Sequence, residues 1–320
     1  MRGSRFTIRM AGILDFGFAE LETRMKLSRF EGIPLRQGNR RQTVYVRLDE
    51  LQYVDASSLL YIVAQVDRLS ALGYQVLGNY PKRNPARWMF NEADFRGHMQ
   101  GRAGVGVTGG NRLKITRKSS GDQLNPEDWL ALHQFLATRG DITEDQQEAL
   151  YQAFGECVEN VRQHAFVGRA PGMWYAVAVS PHPSGPCQAA VVDLGVGVPG
   201  SVRKTNTDRV KDAYAEGLAF VARILGVEEL GKLADRLRDD WTCLFLACHG
   251  KRTRTADEER GTGLSGLREV VSDPASVSTL RVMSGNASVA WARTAEPKPN
   301  RWPRLRGTIV CLELPPDARD

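Results

Sequence analysis

Glu156, Asn160 and His164 recur every fourth position in a stretch with helical spacing, followed by Ala165. At about 3.6 residues per turn they share one helix face. A carboxylate and an amide one turn apart can act together. The Asn160 oxygen suits Mg²⁺ that also grips phosphates, and Glu156 could orient or deprotonate a water attacking a γ-phosphate. A second segment, Asp193-Leu-Gly195-Val-Gly197-Val-Pro199, follows the apolar run 189–192. A carboxylate at a strand end can accept the amino hydrogen of adenine, and the glycines let the backbone approach the base. A third segment, Gly261-Thr-Gly263-Leu264-Ser-Gly266-Leu267, opens a run with helical apolar spacing. Free N–H groups at a helix start bind phosphate. Lys251, Arg252, Arg254 and Arg260 lie just upstream, available to γ-phosphate charge. Arg306-Gly307-Thr308 precedes the last apolar run. Each pattern also has a bland reading: a solvated helix face, an Asp-x-Gly turn, a charged loop. Together, in this order and separated by strands, they point to an ATP-processing site.

The elements that must position these residues can be read coarsely. In the second half, residues 113–116 read as a short strand. Residues 126–138 read as a helix started by Asn125-Pro126, and 144–166 as a second helix. Runs 173–179 and 188–193 read as strands joined by a hairpin turn at 182–186. The stretch 207–248 reads as mainly helical, and 277–282, 287–292 and 308–314 as three further strands. In the first hundred residues, 43–48 alternates like a strand. Asp55-Ala-Ser-Ser58 offers capping side chains, 59–72 has helical spacing ended by Gly73, and 74–77 is the next strand. A strand–helix–strand of this length implies a parallel crossover. Residues 101–110 hold five glycines without the Lys-Ser/Thr ending of a P-loop, which reads as a linker rather than a phosphate loop.

With 320 residues, 42% hydrophobic and 25% charged, the chain can bury the cores of two α/β domains. The net charge of +6 does not require nucleic acid. No apolar run approaches the ~18 residues of a membrane span, and the N-terminus does not read as a secretory signal, so the expected location is cytoplasmic. Five cysteines without paired spacing argue against a disulfide framework. Cys243 and Cys248 read as packed core thiols rather than metal ligands.

On its three motifs, residues 112–316 resemble the GHKL superfamily of ATP-binding domains, which includes gyrase, histidine kinases, MutL, heat-shock chaperones and anti-sigma serine kinases. The resemblance implies an α/β sandwich with ATP and Mg²⁺ bound between a mixed sheet and a lid. It implies Glu156 as catalytic carboxylate, Asn160 as Mg²⁺ ligand and Asp193 as reader of adenine, with Gly195 and Gly197 in its loop. Gly261 and Gly263 would lie on the phosphate side, and Thr308 would support the adenine site. The stretch 200–260 is long for a lid and suggests inserted helices. The first hundred residues resemble a STAS domain, on Val54-Asp55-Ala56-Ser57-Ser58-Leu59 between strand and helix. The position that often accepts phosphate in that family is Ala56 here, with Ser57 beside it. The expected layout is therefore a STAS-like unit (1–100), a glycine-rich linker (101–111) and a GHKL-type unit (112–320). Three functions follow as expectations: a Mg²⁺-dependent ATPase that switches a protein partner, an anti-sigma-type serine/threonine kinase acting in trans, or an ATP-binding module without turnover. The partner is unnamed, and a homodimer fits as well.

Overall fold

The computed structural model describes residues 5–16, 19–34, 42–100, 115–122, 124–137, 143–166, 172–179, 186–204, 239–249, 264, 267, 279–292 and 302–314. The expected linker 101–111 and the turn at 182–185 lie outside them, as does most of 205–260.

Two sheets organise the chain. The first has three parallel strands in the order β1 (Arg5–Leu14), β2 (Thr43–Val54), β3 (Gln75–Gly78). The expected crossover is present: β2 runs into helix α2 (Ala56–Ala71), which returns the chain to β3. Asp55 caps α2 through its side chain, which accepts the Ser58 N–H. Gly73, with φ of 83°, ends it. The Tyr74 N–H reaches the Leu69 carbonyl and the Gly73 N–H the Ser70 carbonyl, the two bonds of a left-handed glycine cap. Strand β1 and helices α1 (Glu20–Leu27), α3 (Ala86–Glu92) and α4 (Phe95–Met99) complete this unit. None of the four was anticipated from the sequence.

The second sheet has six strands in the order β4 (Thr116–Ser119), β5 (Met173–Val179), β6 (Cys187–Asp193), β9 (Leu305–Leu314), β7 (Thr279–Gly285), β8 (Ala287–Ala292). The expected mixed sheet is corrected here. Among the described residues every ladder of this sheet is antiparallel, and parallel pairing occurs in the first sheet. Helix α5 (Pro126–Ala137) starts where Asn125 and Asp128 cap each other, and α6 (Glu144–Asn160) starts at a capping box of Thr143 and Gln146. After Asn160 the helix widens into a π turn over Val161–Ala165. Helices α7 (Gly197–Lys204) and α8 (Asp240–His249) follow.

Both faces of the six-stranded sheet are apolar, and each is covered. Along β5, Trp174, Ala176 and Ala178 face the core made with α5, α6 and α8. Tyr175, Val177 and Val179 face a second core made with α2, β1 and β2. That alternation is why β5 and β6 read as unbroken apolar runs. Helix α2 is buried nearly all round, from Ala56 to Val66, as a helix packed between layers must be. The first unit therefore sits on the back of the six-stranded sheet and shares a core with it. Among the described residues no helix is long and apolar enough to cross a membrane.

Candidate functional site

Asp193 is the last residue of β6 and lies opposite Thr308 in the β6–β9 ladder. It is 2% exposed. Its Oδ1 accepts the Gly195 N–H at 2.7 Å, and the Thr308 side chain and backbone also hydrogen-bond to the carboxylate. Burial nonetheless dominates and pushes its pKa up to about 7.

The loop around it is built by close backbone approach. A Cβ at Gly195 would collide with the Ala165 carbonyl, and the Val196 N–H donates to that same carbonyl at 2.7 Å. Gly307 has φ of 76°, and a Cβ there would collide with the Asp193 carbonyl. Gly197, with φ of 73°, begins α7 rather than continuing the loop, and a Cβ on it would press on Ser284 Oγ at 2.6 Å. Ser284, buried in β7, ties the parts together. Its Oγ accepts the Val198 N–H at 2.9 Å, donates to the Gly307 carbonyl at 2.7 Å and lies 3.4 Å from Thr308 Oγ1. Of the residues that hold the loop, Ser284 was missed in sequence, and Ala165 was noted only as the residue after His164. Ala165 acts through its backbone, which sequence does not display, and Ser284-Gly285 looks like an ordinary hairpin turn.

The Ala165 carbonyl ends the π turn that follows α6, so the helix carrying Glu156 and Asn160 is fastened to the Asp193 loop. Glu156 is half-buried, and burial, followed by the nearby Glu159, raises its pKa. Asn160 is half-buried, and its Nδ2 is fully covered with no hydrogen-bond partner. That nitrogen is a donor and calls for an acceptor oxygen, whereas a metal would take the Asn160 Oδ1. The structure thus brings together Glu156, Asn160, Asp193, Gly195, Gly197 and Thr308 on neighbouring elements. Arg260, Gly261 and Gly263 lie outside the described residues. From the third motif Leu264 and Leu267 are described, both helical and both buried in the core that holds Val161, Ala165 and Val191.

A Mg²⁺ that keeps several waters and leans on phosphate oxygens would find one amide oxygen here, Asn160 Oδ1. Among the described residues no three His, Cys, Asp or Glu side chains converge, so an all-protein cage is not built here. Asn160 is the residue that would hold such an ion, with Glu156 one turn away.

Contacts from the first unit reach the same region. The Tyr61 hydroxyl on α2 accepts the Arg306 N–H at 3.1 Å and donates to Glu31 at 2.8 Å, and Arg306 Nε lies 3.2 Å from Glu31. Arg24, fully buried, donates to the carbonyls of Gly285, Pro303 and Ala287 at 3.2, 3.3 and 2.7 Å, and pairs with Glu20 at 2.9 Å. Ser57 and Ser58 are completely covered at the start of α2, where the Ala56 N–H donates to Gln188 of β6 at 3.0 Å.

Comparison of the chain with protein-family models, with curated proteins and with solved structures returns no match.

Proposed function

We propose that the chain binds Mg·ATP in the manner of the GHKL superfamily and hydrolyses it, using the bound state as a switch toward a protein partner in the cytoplasm. One observation carries the reading: a buried carboxylate at a strand end, framed by Gly195 and Thr308, shares a hydrogen-bonded junction with a helix that bears a carboxylate and an amide one turn apart. Asp193 offers an acceptor to the adenine amino group, and the close backbone around Gly195 and Gly307 shapes the wall for the base. Asn160 holds the metal side of the nucleotide. When bound, Mg²⁺ neutralises charge on the phosphates. Glu156, made more basic by burial and by Glu159, takes the proton of the attacking water. The STAS-like reading of the first unit belongs to the same proposal.

The kinase reading is the weaker of the two for this chain acting on itself. Ser57 and Ser58 are inaccessible while α2 is docked on the six-stranded sheet. A kinase would need a serine on another molecule.

The test follows γ-labelled ATP with Mg²⁺ in wild type and Glu156→Ala. Free labelled phosphate from wild type, lost in the variant, is the expected result. Undiminished release by the variant removes Glu156 as the base. Label on protein would replace hydrolysis with phosphotransfer, and wild type that binds no ATP would overturn the whole reading.

A further inference from the structure

The first unit holds a cavity of about 490 Å³, away from the Asp193 region. It is a cleft open on one side, and sites for small organic molecules fall in the range of roughly 300–1,000 Å³. Its inner wall is aliphatic: Val46 and Leu48 from β2, Ile62 and Val66 from α2, all buried, with Phe95 of α4 closing one side. The sheet opens at this point for a local reason. Strand β3 stops at Gly78, and the side chain of Asn79 replaces it, accepting the N–H groups of Leu48 and Asp49 at 2.6 and 3.1 Å. The chain then leaves the sheet to form α3 and α4. An aromatic cluster braces that departure, with Phe90 and Phe95 centroids 4.7 Å apart and Tyr80 and Phe90 5.6 Å apart. The mouth has a different character. Arg87 and Arg96 line it on exposed positions, and no carboxylate is among the described lining residues. Leu77 and Met99 stand there too, 45% and 39% exposed.

We propose that this cavity is a binding site for a small amphipathic anion, a molecule with an apolar body and one carboxylate head. The body would occupy the aliphatic wall, removing it and the exposed Leu77 and Met99 from water, and the head would lie at the two guanidinium groups. Arginine suits such a head because its planar fork matches a carboxylate. The site does not depend on the nucleotide reading.

The experiment is isothermal titration of the full chain with decanoate, below its micelle concentration, alongside decan-1-ol and butyrate. Saturable one-to-one binding of decanoate is expected, with butyrate, which lacks the apolar body, at least about tenfold weaker. The Arg87→Gln/Arg96→Gln double variant should bind decanoate about tenfold or more weakly and leave any decanol binding unchanged. Both arginines are exposed, so the variant should fold, and a matching circular dichroism spectrum checks that it does. Absence of saturable decanoate binding overturns the proposal. So does decanoate affinity unchanged in the double variant, or decanol binding as tightly as decanoate, since either removes the head-group recognition. Slowed amide exchange in β3 and α4 on adding decanoate would place the ligand in this cavity. Slowing confined to the Asp193 loop would place it elsewhere and refute the assignment.

Discussion

Asp193→Asn separates the physical account of the site from the functional one. Asp193 is 2% exposed, and burial lifts its pKa from 3.8 to about 7 against the hydrogen bonds that favour its charged form. The sign follows from linkage. The folded state holds the proton more tightly than the unfolded chain, so the stabilisation is complete below the unfolded value near 3.8 and is lost as pH rises through about 7. From about pH 5 to about pH 8 the loss is roughly two pKa units, or about 2.7 kcal/mol. The asparagine variant carries no such titration. It also leaves one neighbouring donor less well satisfied, but that cost does not vary with pH. The difference in unfolding free energy between the two proteins should therefore shift by about 2.7 kcal/mol over this interval, in favour of the variant at the alkaline end. Urea unfolding followed by circular dichroism, at fixed ionic strength, measures it. A gap between the two proteins that stays flat with pH would falsify the desolvation of this carboxylate. The same variant tests adenine recognition independently. Its amide oxygen can keep the Gly195 N–H, which turns the amide NH₂ toward the place of the adenine amino group. The lost charge-assisted bond is worth about 1.5–3 kcal/mol, or roughly a 10- to 100-fold weaker ATP affinity. A variant with the expected stability profile and unchanged ATP binding would leave the geometry standing and remove the nucleotide assignment.

Three further outcomes follow from the same contacts. Gly307→Ala should destabilise the chain by clearly more than Gly12→Ala: both have positive φ, about 1–2 kcal/mol for a side chain, but at Gly12 the new Cβ meets only Lys26 Nζ at 3.5 Å while at Gly307 it meets the Asp193 backbone. Equal midpoints in thermal unfolding would contradict the close approach of β9 to the Asp193 loop. Tyr61→Phe removes the acceptor of the Arg306 N–H and should cost about 1–3 kcal/mol in urea unfolding, together with a measurable loss of ATP affinity; full stability and full affinity would show that α2 does not help hold this strand. Glu156→Gln should bind ATP as wild type does and hydrolyse it about 100-fold or more slowly, and the acid limb of wild-type hydrolysis should lie above the ordinary glutamate range because burial raises this group; an acid limb at the ordinary value would argue for a different base.

Local signals in the sequence carried far. Strands 173–179 and 287–292 coincide with β5 and β8, and Asp55 and Gly73 bound α2 as their side-chain chemistry requires. Asp193 and Thr308 were each singled out in the sequence, but their pairing across β6 and β9 was not legible, because register between strands more than a hundred residues apart is set by packing. Strand β1 was hidden by its composition. Arg5, Thr7 and Arg9 alternate with Ile8 and Met10 too briefly to stand out, and pairing with β2 makes them a strand. The docking of the first unit had a sequence signal that went unread. An α-helix apolar on every side and two strands apolar on both faces each need two partners. Arg24 gave no signal at all: an arginine in a helix reads as surface charge until three carbonyls from the far end of the chain are found around it.

The arrangement bears on how a nucleotide state could be felt outside the site. The first unit grips the six-stranded sheet at two places that border the Asp193 region: Tyr61 and Glu31 hold Arg306, two residues before Thr308, and Arg24 holds the β7–β8 turn next to Ser284. Ser284 in turn bonds to Val198 and to the Gly307 carbonyl. A shift of β9 against β7 would therefore have to break contacts in both units, since a buried arginine or tyrosine stripped of its partners costs more than an exposed one. Coupling in this direction implies coupling in the other, because linkage between two binding events is reciprocal. Whatever prises the first unit off the sheet should weaken nucleotide binding, and nucleotide binding should hold that unit in place. Hydrogen exchange at α2, compared with and without Mg·ATP, reads this directly: slower exchange with nucleotide is the expected result, and identical exchange would mean that the two units share a core without sharing a switch.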